Sequence, residues 1–104
     1  MQQDFIKADS YKEAKNIYRV LDNKVRLAIL KILTSSDTCT VGDIASELKL
    51  FHSVASMHLR LLKKYNVVKT SVGRDTRQRI YSINKDKLIG YNELAENICD
   101  YAMS

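Results

Sequence analysis

Apolar residues recur at helical spacing through the first third of the chain. Tyr11, Ala14, Ile17, Tyr18 and Leu21 form a stripe on an otherwise charged segment, the pattern of a helix that buries one face. Ser10 and Glu13 stand at its head with the spacing of a capping box, in which the hydroxyl accepts an orphan backbone N–H and the carboxylate reaches back. Asp22 or Asn23 can cap a second helix, whose Val25, Leu27, Ala28, Ile29, Leu30, Ile32 and Leu33 leave little polar surface. That composition predicts a central, buried helix. The stretch Ser35-Ser36-Asp37-Thr38 breaks it. Thr40 and Asp43 then repeat the capping-box spacing at the start of a short third helix, with Val41, Ile44, Ala45 and Leu48 facing inward.

A fourth helix begins near His52 or Ser53, only a few residues after the third ends, so the two meet at an angle through a tight turn. This is helix-turn-helix spacing. At about 100° per residue, Ala55, Leu59 and Leu62 fall on one side, while Ser53, Ser56, Met57, Arg60 and Lys64 fall opposite and Lys63 lies at the flank. Residues 67–72 and 79–83 carry the β-branched and aromatic residues of two strands. The loop Gly73-Arg74-Asp75-Thr76-Arg77-Gln78 joins them as a basic hairpin. Asn84 can cap a last helix bearing Leu88, Ile89, Tyr91, Leu94, Ala95, Ile98, Tyr101 and Ala102, more apolar surface than one-sided packing requires. A partner chain is expected to cover the remainder. The fold class is therefore mainly α with a small β-hairpin, in the order α-α-α-α-β-β-α, a winged helix-turn-helix.

Composition narrows the class further. At 104 residues and 45% hydrophobic the chain suits one folded domain spanning 1–104, of a size often completed by oligomerisation. No apolar run is long enough to span a bilayer and no leader pattern opens the chain, so a cytoplasmic protein is expected. Its cysteines, Cys39 and Cys99, are too few for a disulfide framework or a cysteine-based zinc site. The net charge of +5 is unevenly spread: among residues 51–85 a single acid, Asp75, stands against Arg60, Lys63, Lys64, Lys69, Arg74, Arg77, Arg79 and Lys85. A cationic helix face followed by a cationic hairpin is an electrostatic footprint for a polyanion.

Three stretches carry a family resemblance. Residues 21–33, with Arg26-Leu27-Ala28-Ile29-Leu30 at their centre, residues 41–48, and residues 53–63, with Ser53, Ser56, His58, Leu59 and Leu62 in the pattern Ser-x-x-Ser-x-His-Leu-x-x-Leu, together resemble the ArsR/SmtB family of small dimeric transcriptional repressors. Phe51 departs from the pattern, replacing the usual Ser at the start of the recognition helix, and the wing is longer than in compact members. The resemblance implies a homodimer that sets one recognition helix per subunit into successive major grooves of an inverted repeat in double-stranded DNA. General physics agrees, because a helix fits the major groove and short side chains allow close approach to base edges.

The expected DNA-binding residues are His52, Ser53, Ser56, Met57, Arg60, Lys63 and Lys64 on the helix and Arg74, Arg77 and Arg79 on the hairpin. Arg60 suits a guanine or a phosphate, Met57 a thymine methyl, and the hairpin arginines the flanking backbone. His52 is a DNA contact or plain surface; His58 lies nearer the core and is expected to be structural. The dimer interface is expected at Tyr11, Ala14, Ile17 and Tyr18 with Tyr91, Leu94, Ala95, Ile98 and Tyr101.

Family members that sense metals use a Cys-x-Cys-Asp pattern at the first motif helix or Asp/His and His/Glu pairs on the last. Here the former reads Thr40-Val41-Gly42-Asp43, with Cys39 one position early, and the last helix has no histidine. No metal site and no cofactor are expected. Cys39 and Cys99 form a candidate redox or sulfide-responsive pair, with buried, inert thiols as the simpler expectation. Neither a catalytic triad nor a Gly-rich phosphate loop is present, so the chain is not expected to be an enzyme. The competing class is a winged-helix module that binds another protein. Such a module would present large apolar groups or acids where this sequence places Ser53, Ser56, Arg60 and Lys64.

Overall fold

The computed structural model describes residues 11–73 and 78–88. In chain order these form α1 (Tyr11–Leu21), α2 (Lys24–Ser36), α3 (Val41–Leu48), α4 (His52–Lys64), β1 (Val68–Val72) and β2 (Arg79–Ile83). This is the winged helix-turn-helix expected from the hydrophobic pattern. The Ser10 cap, Arg74, Arg77, Cys99 and the last helix, with Tyr91, Leu94, Ala95, Ile98 and Tyr101, lie outside the described residues.

Local chemistry sets the helix ends. Asn23 caps α2 by accepting the Arg26 N–H at 3.0 Å. At α3 both halves of the capping box form: the Thr40 hydroxyl accepts the Asp43 N–H at 3.1 Å, and the Asp43 carboxylate accepts the Thr40 N–H at 3.0 Å. Two orphan donors are thus satisfied, which fixes where α3 begins. The second helix runs through Ser36, past the expected break, and stops at Asp37, whose φ of 60° leaves helical geometry. Lys49 closes α3 in the left-handed region at φ 55°, ψ 46°, reversing the chain without a glycine.

Every element contributes to one core. Ile17 and Val20 of α1, Leu27, Ile29, Leu30 and Leu33 of α2, Ile44 and Ala45 of α3, and Ala55, Leu59 and Leu62 of α4 are buried together with Val67, Val68, Tyr81, Ile83 and Leu88. Their removal from water is the main favourable term. It also corrects one sequence expectation. Ile17, expected at the dimer seam, is completely enclosed within its own chain; an apolar stripe looks the same in sequence whichever surface covers it.

The antiparallel hairpin pairs Val68 with Ile83 at its base and Val72 with Arg79 at its outer end. Base residues are buried and outer ones exposed, so the wing is anchored at the core and extends into solvent. Val67, expected to open the strand, instead lies in the preceding turn, where its N–H bonds to the Leu62 carbonyl at 2.9 Å. Asn84, expected to cap the last helix, donates its Nδ2 to the Asn66 carbonyl at 3.0 Å and braces that turn. The linker between α2 and α3 adds a further clamp: Cys39 and Tyr81 exchange both backbone hydrogen bonds, at 3.0 and 2.7 Å. An ion pair between Lys87 and Glu13 links α1 to the segment after β2.

Candidate nucleic-acid interface

The fourth helix owes its orientation to its amphipathic sequence. Ala55, His58, Leu59 and Leu62 are buried, while His52, Ser53, Met57, Arg60, Lys63 and Lys64 are exposed and Ser56 is half-buried. Lys49, Leu50 and Phe51 form the turn from α3. The Leu50 N–H reaches back to Ala45 at 2.9 Å, and the Phe51 carbonyl accepts from Val54 and Ala55. These bonds hold the crossing of α3 and α4.

Between the outward face of α4 and the wing lies an open cleft of about 700 Å³, lined by His52, Ser56, Arg60 and Lys63 from α4 and by Gln78, Arg79 and Tyr81 from the hairpin. Thr40, Val41 and Gly42, in the first turn of α3, complete it. The structure therefore brings together five of the expected contacts: His52, Ser56, Arg60, Lys63 and Arg79. Ser53 and Met57 are exposed on α4 outside this cleft, Met57 at 44%. Lys64 lies on the other flank, bordering a groove with Lys12, Glu13 and Asn16 of α1, and its ammonium stands 5.6 Å from the Tyr65 ring centroid. The sequence reading missed the α3 contribution. Its signal is the small, exposed Gly42 two residues after the Thr40 cap, which leaves room for close approach.

Among the described residues, three cations and no acidic residue line this cleft, so it offers a polyanion charge and donors in a concave surface. Half-buried Ser56 sets the floor, and the guanidinium of Arg60 has the reach to present a fork of donors to a base edge or phosphate.

Beneath α4, His58 is only 7% exposed. Arg26 approaches its Nδ1 through Nη1 at 3.3 Å and donates from Nε to the Val20 carbonyl at 2.5 Å. A guanidinium only donates, so Nδ1 must accept and the imidazole is neutral with its proton on Nε2. Burial first, and the Arg26 charge second, push the His58 pKa below its ordinary value. The unfolded chain therefore binds this proton more readily, and the stability associated with neutral His58 is present above about pH 6.5 and lost as pH falls through the folded value. Urea unfolding between pH 7.5 and 5 should show wild type losing more stability than His58→Gln; equal losses would contradict this burial effect.

The described residues contain no group of three or more His, Cys, Asp or Glu placed to hold a metal. Cys39 is buried and free. Burial pushes its thiol pKa up, the Asp43 and Glu47 carboxylates add to the rise, and a Ser36 hydrogen bond opposes it, an environment that disfavours the reactive thiolate. None of the described helices is long and apolar enough to cross a membrane.

Comparison with known proteins agrees with this geometry. Residues 21–71 match a family described as a helix-turn-helix domain. An uncharacterised helix-turn-helix-type transcriptional regulator of Methanocaldococcus jannaschii is 36% identical over 61 residues, covering 59% of this chain and 68% of that protein. In fold, the chain is similar to reduced HlyU from Vibrio cholerae, at 24% identity and a TM-score of 0.66 over 88% of this chain and 87% of that one. It is also similar to a possible transcriptional regulatory protein from Mycobacterium bovis, at 22% identity and a TM-score of 0.71 over 94% and 99% of the two chains.

Proposed function

The chain belongs to the helix-turn-helix transcriptional regulators, and from that membership we propose that it is a dimeric repressor of the ArsR type that reads an inverted repeat in double-stranded DNA. The observation that carries the reading is the shared cationic cleft, in which α4 and the wing present Arg60, Lys63 and Arg79 to one concave surface. In this reading α4 enters the major groove, Ser53 and Ser56 allow close approach, and Arg60 reads a base edge. Lys63, Lys64 and Arg79, with Arg74 and Arg77 of the wing loop, hold the phosphate backbone and set register.

The whole chain is one such domain, with its terminal helices as the dimer seam. Tyr11 and Tyr18 support this, because they are seven residues apart, fall on one side of α1 and are 83% and 46% exposed. With half-buried Ala14 they offer an apolar strip for a second copy to cover, alongside Tyr91, Leu94, Ala95, Ile98 and Tyr101.

Selection from a random duplex library, with light scattering on the free protein, tests the proposal. The expected results are a mass about twice the 11.9 kDa of the chain and a palindromic site with half-sites about one helical turn, or a multiple of it, apart. A monomer, or binding without sequence preference, would overturn it.

A further inference from the structure

The described N-caps treat their helices differently. Asn23 and Thr40 cap α2 and α3 through their side chains, whereas Phe51 stands at the N-cap of α4 and makes no capping bond. Phenylalanine has no acceptor to offer, and this is the position where Ser, Thr, Asp or Asn stabilises a helix most. Nor does Phe51 fix the direction of approach to α4. That position belongs to the preceding residue, and Leu50 fills it, packed against the core with buried Ala55 four positions into the helix. Phe51 is instead 82% exposed and directly precedes His52, a lining residue of the cationic cleft. The helix that faces the polyanion thus forgoes its cap and presents a large apolar ring at its leading end.

We propose that Phe51 is a specificity-determining residue that packs against the C5-methyl group of a thymine in the major groove. The inference rests on the DNA-binding reading above and adds the base it selects. Two features lead to this ligand. The N-terminal residues of a recognition helix are the ones that meet base edges, and among the major-groove edges the thymine methyl is the apolar group, the one a phenyl ring can contact without leaving a donor or acceptor unpaired. The cleft cations Arg60, Lys63 and Arg79 suit phosphates, so the helix that leads with Phe51 belongs to a surface complementary to DNA.

Replacing thymine by uracil removes that methyl alone and leaves the hydrogen-bonding edge intact. Fluorescence anisotropy on the selected operator, with each thymine changed to uracil in turn, should show wild type losing about fourfold in affinity at one position of each half-site, the factor that corresponds to about 0.8 kcal/mol for one buried methyl-sized group. Phe51→Ser should bind the parent operator more weakly and show no uracil effect at that position, while its melting midpoint rises by a few degrees because the cap is restored. Phe51→Leu, apolar and uncapped, should keep part of the uracil sensitivity. Unchanged affinity in Phe51→Ser, or a uniform loss that leaves its uracil scan identical to wild type, would overturn the assignment while leaving the DNA reading intact. Failure of wild type to select any duplex would instead overturn the DNA reading, and this assignment with it.

Discussion

Arg60→Ala is expected to weaken operator binding by about 5- to 150-fold and to relax base preference at one position of each half-site. That range corresponds to about 1–3 kcal/mol, the discrimination carried by a guanidinium bidentate to a guanine edge. The side chain is exposed on α4 and lines the cleft, so its truncation removes the proposed DNA contact while leaving the core untouched. Arg79→Ala provides the contrast. At the outer end of β2, paired with Val72, Arg79 suits the backbone, and its loss should weaken all sequences alike and lower the slope of log K against log salt by about one. Anisotropy titrations of both variants on the operator and its single-base variants, at several salt concentrations, separate the two signatures. Intact affinity and base preference in Arg60→Ala would mean that α4 does not read the bases through this face.

The separation depends on the cleft having a fixed width, which follows from how the wing is held. The backbone pair between Cys39 and Tyr81 ties β2 to the chain just ahead of the α3 capping box, and the Asn84 contact with Asn66 ties the end of β2 to the turn after α4. Helix and wing are therefore referred to the same frame. His58 and Arg26 brace the underside of α4 against the α1 carboxyl end, so the outward face of α4 is positioned from below as well as from the side. Positioning of this kind matters for recognition, because bidentate contacts tolerate little displacement.

How much of this was legible in the sequence depended on the range of each interaction. Thr40 with Asp43, and Asn23 with Arg26, are three residues apart and announce themselves as caps. The wheel of α4 was equally legible, because Ala55, Leu59 and Leu62 are bulky or small apolar groups on one side of a cationic helix. Arg26 and His58, by contrast, are 32 residues apart, and no local pattern links them. The same limit hid Thr40, Val41 and Gly42 from the cleft, since they reach it through the crossing of α3 with β2. Lys64 follows Arg60 by one helical turn and shares its side on a wheel, yet it borders α1: a wheel records angle but not position along the axis. On α1 the stripe divides, with Ile17 turned to the core and Tyr11 and Tyr18 outward. Only tertiary packing distinguishes an apolar residue covered by its own chain from one left for a partner.

Leu59→Ala is expected to cost about 2–5 kcal/mol of folding stability, through lost burial and the cavity left behind. Leu59 is fully enclosed on the inward face of α4, in the cluster that includes Ile44, Ala55 and Leu62, so packed neighbours on every side restrict collapse into the space. Domains of this size are stable by about 5–15 kcal/mol, and the variant would lose a large share of that margin. Met57→Ala, two residues earlier on the exposed side, should stay within about 0.5 kcal/mol of wild type. Urea unfolding of the three proteins at pH 7.5 measures the difference directly through their midpoints. The pair tests the rotation of α4 without any DNA present: a helix turned by half a revolution would reverse the order, making Met57→Ala the costly change and Leu59→Ala the mild one. Similar midpoints for both variants would also contradict the described packing, because one of the two side chains must then lack the burial, or the exposure, that the fold assigns to it.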